Sequence, residues 1–366
     1  MRPSWIEVDL AAVRHNVTAI SAAVKPAAYC AVVKADAYGH GDVPVAEAAL
    51  DAGAACLAVA LAEEGVRLRE AGLSAPVIVL SEPEPAEAKE MLVWGLIPTV
   101  YREEFATAVE EAAGPDPVDV HVKIDTGMHR VGADPDTAVM LARRVADSPR
   151  LRLGGLWTHF PVADEDLEFT ASQVDAFDGL VRLLGEEGTS AETLHLANTA
   201  GALAIPAARK DMVRIGLGTY GLRPAPDIGA NIELRPAMAV LSRVSMVRTL
   251  PRGARPSYGR CRALAEPAAV ATVPIGYADG LARRLSATGG EVLIRGRRYP
   301  FAGTVTMDHI VVDCGSDPVA VGDEVVVLGS QGEESVTAEE WAQRLGTVNY
   351  EILCRFGPRM PRRYLP

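Results

Sequence analysis

Little in the chain points to a metal, a disulfide framework or a membrane. The five cysteines, Cys30, Cys56, Cys261, Cys314 and Cys354, are scattered, odd in number and lack a Cys-x-x-Cys pair. That pattern argues against both a disulfide scaffold and a zinc centre, so reduced thiols and no metal are expected. No run of about 18 uninterrupted apolar residues occurs. The first residues hold one arginine and no apolar signal core, so a cytoplasmic protein without a membrane partner is expected. Basic charge is also scarce: 36 lysines and arginines face 48 acidic residues, a formal net charge of −12. Without a basic stripe to neutralise phosphates, the charge argues against a nucleic-acid surface. The arginine clusters at 295–298 and 359–363 are short and read as solvated loops or strand edges. Aromatics make up only 5%, which leaves alanine, valine and leucine to build the core.

What is present is length and alternation. At 366 residues the chain exceeds one ordinary core and suggests two domains. Residues 1–8 read as a short strand, and Asp9 then opens a helix whose apolar positions Leu10, Val13, Val17, Ile20 and Val24 recur every three or four residues. Short apolar runs follow at 28–33, 54–59, 77–80, 97–100, 118–124, 154–158, 193–196 and 212–215, with helical stretches between them. Eight such strands predict an α/β fold of the (β/α)8 TIM-barrel type, with a doubly wound open sheet as the alternative. Pro224, Pro226 and Gly229 mark a linker. Beyond it the text turns mostly to β, with strands expected at 240–247, 268–273, 291–294, 310–313 and 324–327. One clear helix over 337–345 opens on a Thr-x-x-Glu capping box. The division expected is a barrel over 1–232, whose first strand may be shared with the second domain, and a smaller, mostly-β C-terminal domain over 233–366.

In a parallel barrel, residues just past each strand's C-terminus face one common site. In this chain those positions hold Lys34 and Tyr38; Lys123, Asp125 and Arg130; Thr158 and His159; Asn198 and Thr199; and Arg214 with Gly216. Each has a plain alternative. Lys34 is either a Schiff-base former or a snorkelling strand-end lysine. His159 could be a core histidine, Asp125 a turn cap, and the two arginines surface charges. Their convergence favours a site. An amine able to attack an aldehyde, backbone and hydroxyl donors for a phosphate, and an arginine at ring height together describe a place for pyridoxal 5'-phosphate.

The motifs Trp5-Ile6-Glu7-Val8-Asp9-Leu10, Val33-Lys34-Ala35-Asp36-Ala37-Tyr38-Gly39-His40-Gly41, Asp125-Thr126-Gly127-Met128, Ser257-Tyr258-Gly259, Ile275-Gly276-Tyr277-Ala278-Asp279-Gly280, Met307-Asp308 and Asn349-Tyr350-Glu351 span nearly the whole chain. In them the sequence resembles the bacterial alanine racemase family. That resemblance implies a pyridoxal-phosphate isomerase that interconverts L- and D-alanine and supplies D-alanine for peptidoglycan, working as a homodimer with shared sites. By it, Lys34 would carry the cofactor in Schiff-base linkage, and Tyr38, Asn198, Thr199, Gly216, Leu217 and Tyr350 would surround its phosphate. Arg214 would face the pyridine nitrogen with His159 in support. Arg130, Met307 and Tyr277 would serve the substrate, and Tyr258 would be the second base, reaching in from the partner subunit.

The chemistry fits that reading. A racemase removes a proton from one face of Cα and returns one to the other, so two acid–base groups on opposite faces are the simplest solution. Tyrosine titrates near roughly 10 when unperturbed, so a tyrosine base needs positive charge nearby, and Arg214 with His159 could provide it. An arginine at the pyridine nitrogen, being donor-only, disfavours a proton there and limits side reactions. Some residues depart from the family pattern: Thr304 for arginine, Thr306 for cysteine, Asp36 for asparagine, Thr199 for serine, and Pro161-Val162 for smaller residues. Lys123 stands where some members carry a carbamylated lysine; a plain buried lysine paired with Asp125 is the alternative. A racemase of wider range, a decarboxylase of the same fold and a non-catalytic cofactor carrier are the competing functions.

Overall fold

The computed structural model describes residues 2–366. Strand β1 (Ser4–Asp9) passes directly into the helix Leu10–Val24, which buries Val13, Val17, Ile20 and Val24 along one face. Eight more strands then alternate with helices: β2 (Ala28–Val32), β3 (Cys56–Val59), β4 (Val77–Val79), β5 (Ile97–Val100), β6 (Val118–Lys123), β7 (Leu151–Trp157), β8 (Thr193–His195) and β9 (Met212–Ile215). Runs such as Val77–Val79 are apolar throughout because a parallel strand wrapped by helices is buried on both faces.

These strands pair in the order β8-β7-β6-β5-β4-β3-β2-β9, every pair parallel. The two ends of that order meet. Asp211 N donates to Leu194 O at 3.1 Å and Arg214 N to Ala197 O at 2.9 Å. The sheet therefore closes as a (β/α)8 barrel, and the open-sheet alternative is ruled out.

The remainder is mostly β: β10 (Met238–Arg243), β11 (Met246–Leu250), β12 (Ala268–Val273), β13 (Glu291–Ile294), β14 (Arg297–Pro300), β15 (Ile310–Asp313), β16 (Glu324–Gln331), β17 (Glu334–Val336) and β18 (Arg362–Leu365). One sheet runs β14-β13-β16-β10-β1-β18 with β17 on β16; a second is β11-β12-β15. The single strand expected at 240–247 is in fact two strands in different sheets. Val244 N turns to Asp323 O and Ser245 N to Thr272 O, each at 2.9 Å, which ends one ladder and begins the other. The helix Ala338–Leu345 opens as its sequence predicts, with Thr337 accepting from Glu340 N.

The arginine clusters fall at the two edge strands, β14 and β18, as one of the two sequence readings has it, but they are not simply solvated. Half-buried Arg298 pairs with Glu291, Glu334 and Glu340. Arg362 donates to the carbonyls of Gly39, Phe356, Gly357 and Met360. All five cysteines are unbridged. No helix among the described residues is long and apolar enough to cross a membrane. By contact the chain divides into a unit of Ala12–Ala37 with Asp42–Arg235, and a unit of residues 2–11 with Tyr38–Gly41 and Pro236–Pro366.

Candidate active site

Strand β2 delivers Lys34 into a turn that is not the glycine-rich loop its sequence suggests. Ala35, Asp36, Ala37 and Tyr38 all take φ between 50° and 55°, and Gly39 follows at 82°. This is a full turn of left-handed helix built on non-glycine residues, a conformation that costs roughly 1–2 kcal/mol per residue. Hydrogen bonds hold it in place. Ala35 N donates to Glu64 Oε1 at 2.6 Å, Ala37 N to Val33 O at 2.9 Å, and Asp42 N to Asp36 Oδ1 at 3.1 Å. Glu64 also receives Ala60 N and Leu61 N on its other oxygen, so the lysine's turn is fixed to the end of β3. Surroundings that over-determine a strained backbone are typical of functional positions.

Arg214, on β9, is almost wholly buried. Its Nη1 donates to His195 O at 2.6 Å and to His195 Nδ1 at 3.0 Å. Its Nη2 faces Thr158 O at 2.7 Å, Leu196 O at 3.0 Å and His159 Nδ1 at 3.3 Å. None of these bonds uses Nε–H. Below lies the ring of Trp157, with the Arg214 guanidinium 4.5 Å and Lys123 Nζ 4.3 Å from its centroid. Burial pulls Arg214 down to about 10, which leaves it charged at neutrality. His159 is held far below the usual histidine range by burial first and by Arg214, Lys123, Arg130 and Lys34 after it. His159 is therefore neutral and can accept from the arginine.

Lys123 ends β6 inside the barrel, 3% exposed. Burial, then Arg214, Arg130 and Lys34, lower its amine to about 7. It is not paired with Asp125, as the plain reading of the sequence expects. The Asp125 carboxylate instead accepts from Gly127 N and His129 N, which makes it the cap of its own turn. Arg130 lies exposed beyond that turn.

After β8 the chain starts a short helix, Thr199–Ala204. Asn198 Oδ1 caps it by accepting from Gly201 N at 2.9 Å, while its amide reaches Phe160 O. The Asn198 side chain is thus committed to structure. Thr199 Oγ1 accepts from Gly218 N at 3.3 Å, so the loop Gly216–Leu217–Gly218 lies on the start of that helix. Glycine at 218 lets the two approach closely, since a Cβ would come within 2.7 Å of Ile20 Cδ1 and 3.1 Å of Thr199 Cγ2.

In the other unit, Tyr38 and Tyr350 face each other with ring centroids 6.1 Å apart. Burial raises Tyr38 well above the usual phenol range, so it stays a neutral donor. Tyr350 sits on the helix Asn349–Cys354. Tyr258 is 74% exposed, Met307 53% and Tyr277 41%. The Tyr258 loop is shaped by Ser257 and Arg260, both at positive φ. Thr304 ties it down: Thr304 Oγ1 donates to Tyr258 O and Ser257 Oγ to Thr304 O. Tyr277 N and Ala278 N donate to Thr306 O and Met307 O, bringing Tyr277 and Met307 together and leaving Met307 N–H outside these bonds. Gly276 allows that approach, since a Cβ there would stand 2.3 Å from both carbonyls.

Sequence reading missed three interior side chains: Trp157, the platform; His195, which accepts from Arg214; and His121, which touches His195. The strand-end rule passes over His121, which lies two residues before Lys123 within β6, and Trp157 and His195 are the last residues of β7 and β8 rather than the residues beyond them.

With this geometry in view, comparison with known proteins is direct. The family model described as the N-terminal domain of alanine racemase matches residues 8–224, and that of the C-terminal domain matches residues 237–364. The chain is 43% identical over 368 residues to the alanine racemase of Symbiobacterium thermophilum, covering 100% of this chain and 97% of that one. Among solved structures, the alanine racemase of Streptomyces lavendulae aligns with a TM-score of 0.95 at 38% identity, covering 100% of this chain and 98% of that one. The Bacillus anthracis alanine racemase with bound L-Ala-P aligns at 0.93 and 35% identity, covering 100% and 96%.

Proposed function

The chain belongs to the alanine racemase family, and from that premise we propose that Lys34 and Tyr258 are the two acid–base groups of its reaction. It is a pyridoxal 5'-phosphate-dependent isomerase that interconverts L- and D-alanine. The observation that carries the assignment of the site is Arg214. Four N–H groups of its guanidinium are turned to carbonyls and imidazoles, and Nε–H remains as a lone donor above the tryptophan. A donor that cannot accept suits a pyridine nitrogen that carries no proton. An acidic residue at this position, as in decarboxylases of the same fold, would do the opposite.

The cofactor, when bound, supplies an electron-withdrawing ring conjugated with Cα, which acidifies that C–H. The chain's own groups do the rest. Lys34 would hold the cofactor and move the Cα proton on one face; Tyr258 Oη would move it on the other. Thr199, Gly216, Leu217, Tyr38 and Tyr350 would hold the phosphate, Tyr38 as a neutral donor. Asn198 contributes by capping the helix that presents Thr199. Arg130 and Met307 N–H would hold the substrate carboxylate, with Tyr277 beside them.

The exposure of Tyr258, Met307 and Tyr277 supports completion of the site by a second copy of the chain. Tyr258 lines a cavity of about 400 Å³ together with Ser257, Thr306, His309 and Val311, which a partner would cover. A homodimer with reciprocal sites, a barrel over 1–232, a C-terminal domain over 233–366 and a cytoplasmic location complete the proposal.

Exchange of the alanine Cα proton for deuterium by the purified holoenzyme, lost in Lys34→Ala, tests the reaction. Mixing Lys34→Ala with Tyr258→Phe subunits tests the sharing, because the mixed dimer regains one site with both wild-type groups. Verified heterodimers without recovered activity would refute it.

A further inference from the structure

The assignment of Arg214 to the pyridine nitrogen leaves open what decides how that arginine is presented. We propose that His121 is a positioning residue for the reaction, acting through His195 on Arg214. The proposal rests on the Arg214 assignment above.

Proton placement fixes the direction of each bond in the chain. A guanidinium donates and never accepts, so His195 Nδ1, 3.0 Å from Arg214 Nη1, must offer a lone pair. The His195 proton is therefore on Nε2. That nitrogen lies 2.9 Å from His121 Nδ1, so His121 Nδ1 is the acceptor and its own proton sits on Nε2. Arginine, imidazole and imidazole form a chain with a single polarity, running from the barrel mouth into its interior. Both rings are neutral: burial first, and Arg214 with it, holds His195 well below the usual range, and burial brings His121 down to about 4 against the opposing pull of Asp119. The rings are also fixed in orientation. His195 stacks on Trp157 at 5.6 Å and 12°, and His121 meets His195 edge-on at 5.0 Å and 60°.

The backbone is arranged around this contact. The β6–β7 register shifts between Val120 and His121, so that Val120 pairs with Leu153 but His121 with Gly155, leaving Gly154 as a bulge. Bulges re-aim side chains. Gly155 then leaves the space for the ring: a Cβ there would stand 2.6 Å from His121 Nδ1 and 2.8 Å from Cε1 and Cγ. The glycine is needed at the very nitrogen that accepts from His195. Without His121, the buried His195 Nε2–H loses its acceptor. The ring then turns, and Arg214 loses one of the two acceptors that fix Nη1.

Two substitutions separate acceptor from volume. His121→Phe keeps a ring and removes the acceptor; His121→Asn keeps an acceptor oxygen at the Nδ1 position and loses volume. The readouts are the ring-nitrogen chemical shift of holoenzyme reconstituted with 15N-labelled pyridoxal phosphate, and the kinetic constants for alanine. His121→Phe is expected to move the nitrogen signal and lower kcat about tenfold, the effect of one hydrogen bond, with KM within about twofold. His121→Asn is expected to keep the wild-type signal and most of kcat, and Gly155→Ala to reproduce the phenylalanine result. A wild-type signal in His121→Phe, or equal impairment by Phe and Asn, overturns the proposal, since packing alone would then explain the residue. If His121→Phe does not fold, long-range 1H–15N correlation of the histidines in the wild-type apoprotein decides, and an Nδ1-protonated His195 refutes it. Arg214→Lys is the control for the underlying assignment. If it leaves the pyridine signal unmoved, the Arg214 assignment itself falls; if it moves the signal while His121→Phe does not, only the relay falls.

Discussion

Replacing Ala35 by glycine should stabilise this protein, although alanine to glycine in a helical segment ordinarily does the reverse. Ala35 is the first of four residues at φ near 50° after Lys34, and its side chain is exposed. Relieving the left-handed penalty at one alanine gains roughly 1–2 kcal/mol. Glycine's greater freedom in the unfolded chain costs about 0.5–1 kcal/mol. The balance is about 0.5–1 kcal/mol in favour of Ala35→Gly, a rise of about 2 °C in the barrel transition. Ala37 supplies the internal comparison. It has the same φ but is fully buried, so Ala37→Gly also loses a buried methyl worth about 0.8 kcal/mol and should be close to neutral. Urea and thermal unfolding of the apoprotein, following the barrel transition, measures both. A loss of stability in Ala35→Gly of the size seen for an ordinary right-handed helix would refute the claim that this turn stores strain.

Three further outcomes follow from the geometry. Lys123 titrates near 7 when folded and near 10.5 when free; in that window the unfolded chain binds a proton that the folded chain does not. Stability should therefore rise with pH between the two, the penalty being complete below pH 7. Lys123→Met should flatten the slope and add on the order of 2–4 kcal/mol at neutral pH, read from urea midpoints across that range. Arg214→Glu should keep the pyridine nitrogen protonated, cut racemisation on the order of 100-fold and raise the share of transamination, measured as pyruvate released; intact racemisation without extra pyruvate would sink the argument. Asp279 is wholly buried, holds Arg2 through two bonds of 2.7 and 2.8 Å, and accepts from Gly276 N. Asp279→Ala should cost about 3 kcal/mol in thermal or urea unfolding, as Gly276 N–H loses its buried acceptor, and Arg2→Ala a comparable amount, because the wholly buried carboxylate is then left with Arg359 alone.

The barrel was legible because its strands are continuous apolar runs, and the boundaries of β5 and β9 match the expected ones. β14, β17 and β18 were not legible. Each is three or four residues long and rich in charge, as in Arg297–Pro300 and Arg362–Leu365. They are strands only because β13, β16 and β1 offer them a ladder, and short-range pattern carries no trace of such distant partners. The same limit applied at the site. Lys34, Arg214 and His159 could be found because barrel topology assigns strand ends to one face. The left-handed turn could not, because Ala-Asp-Ala-Tyr carries no glycine to announce positive φ. Nor could the roles of His121 and His195, which depend on a bulge at Gly154 that alternation does not reveal.

The position of β1 has a consequence for how the chain is made. Ile6 pairs on one side with Val240 and on the other with Arg362, so a strand translated well ahead of both partners waits unpaired on both edges until they are synthesised. All barrel strands are available once Ile215 has emerged, whereas the sheet containing β1 cannot be completed until its last strand leaves the ribosome. Vectorial synthesis thus sets an order, barrel first and mixed sheet last. It leaves Trp5, Ile6 and Val8 without their final strand partners throughout that interval.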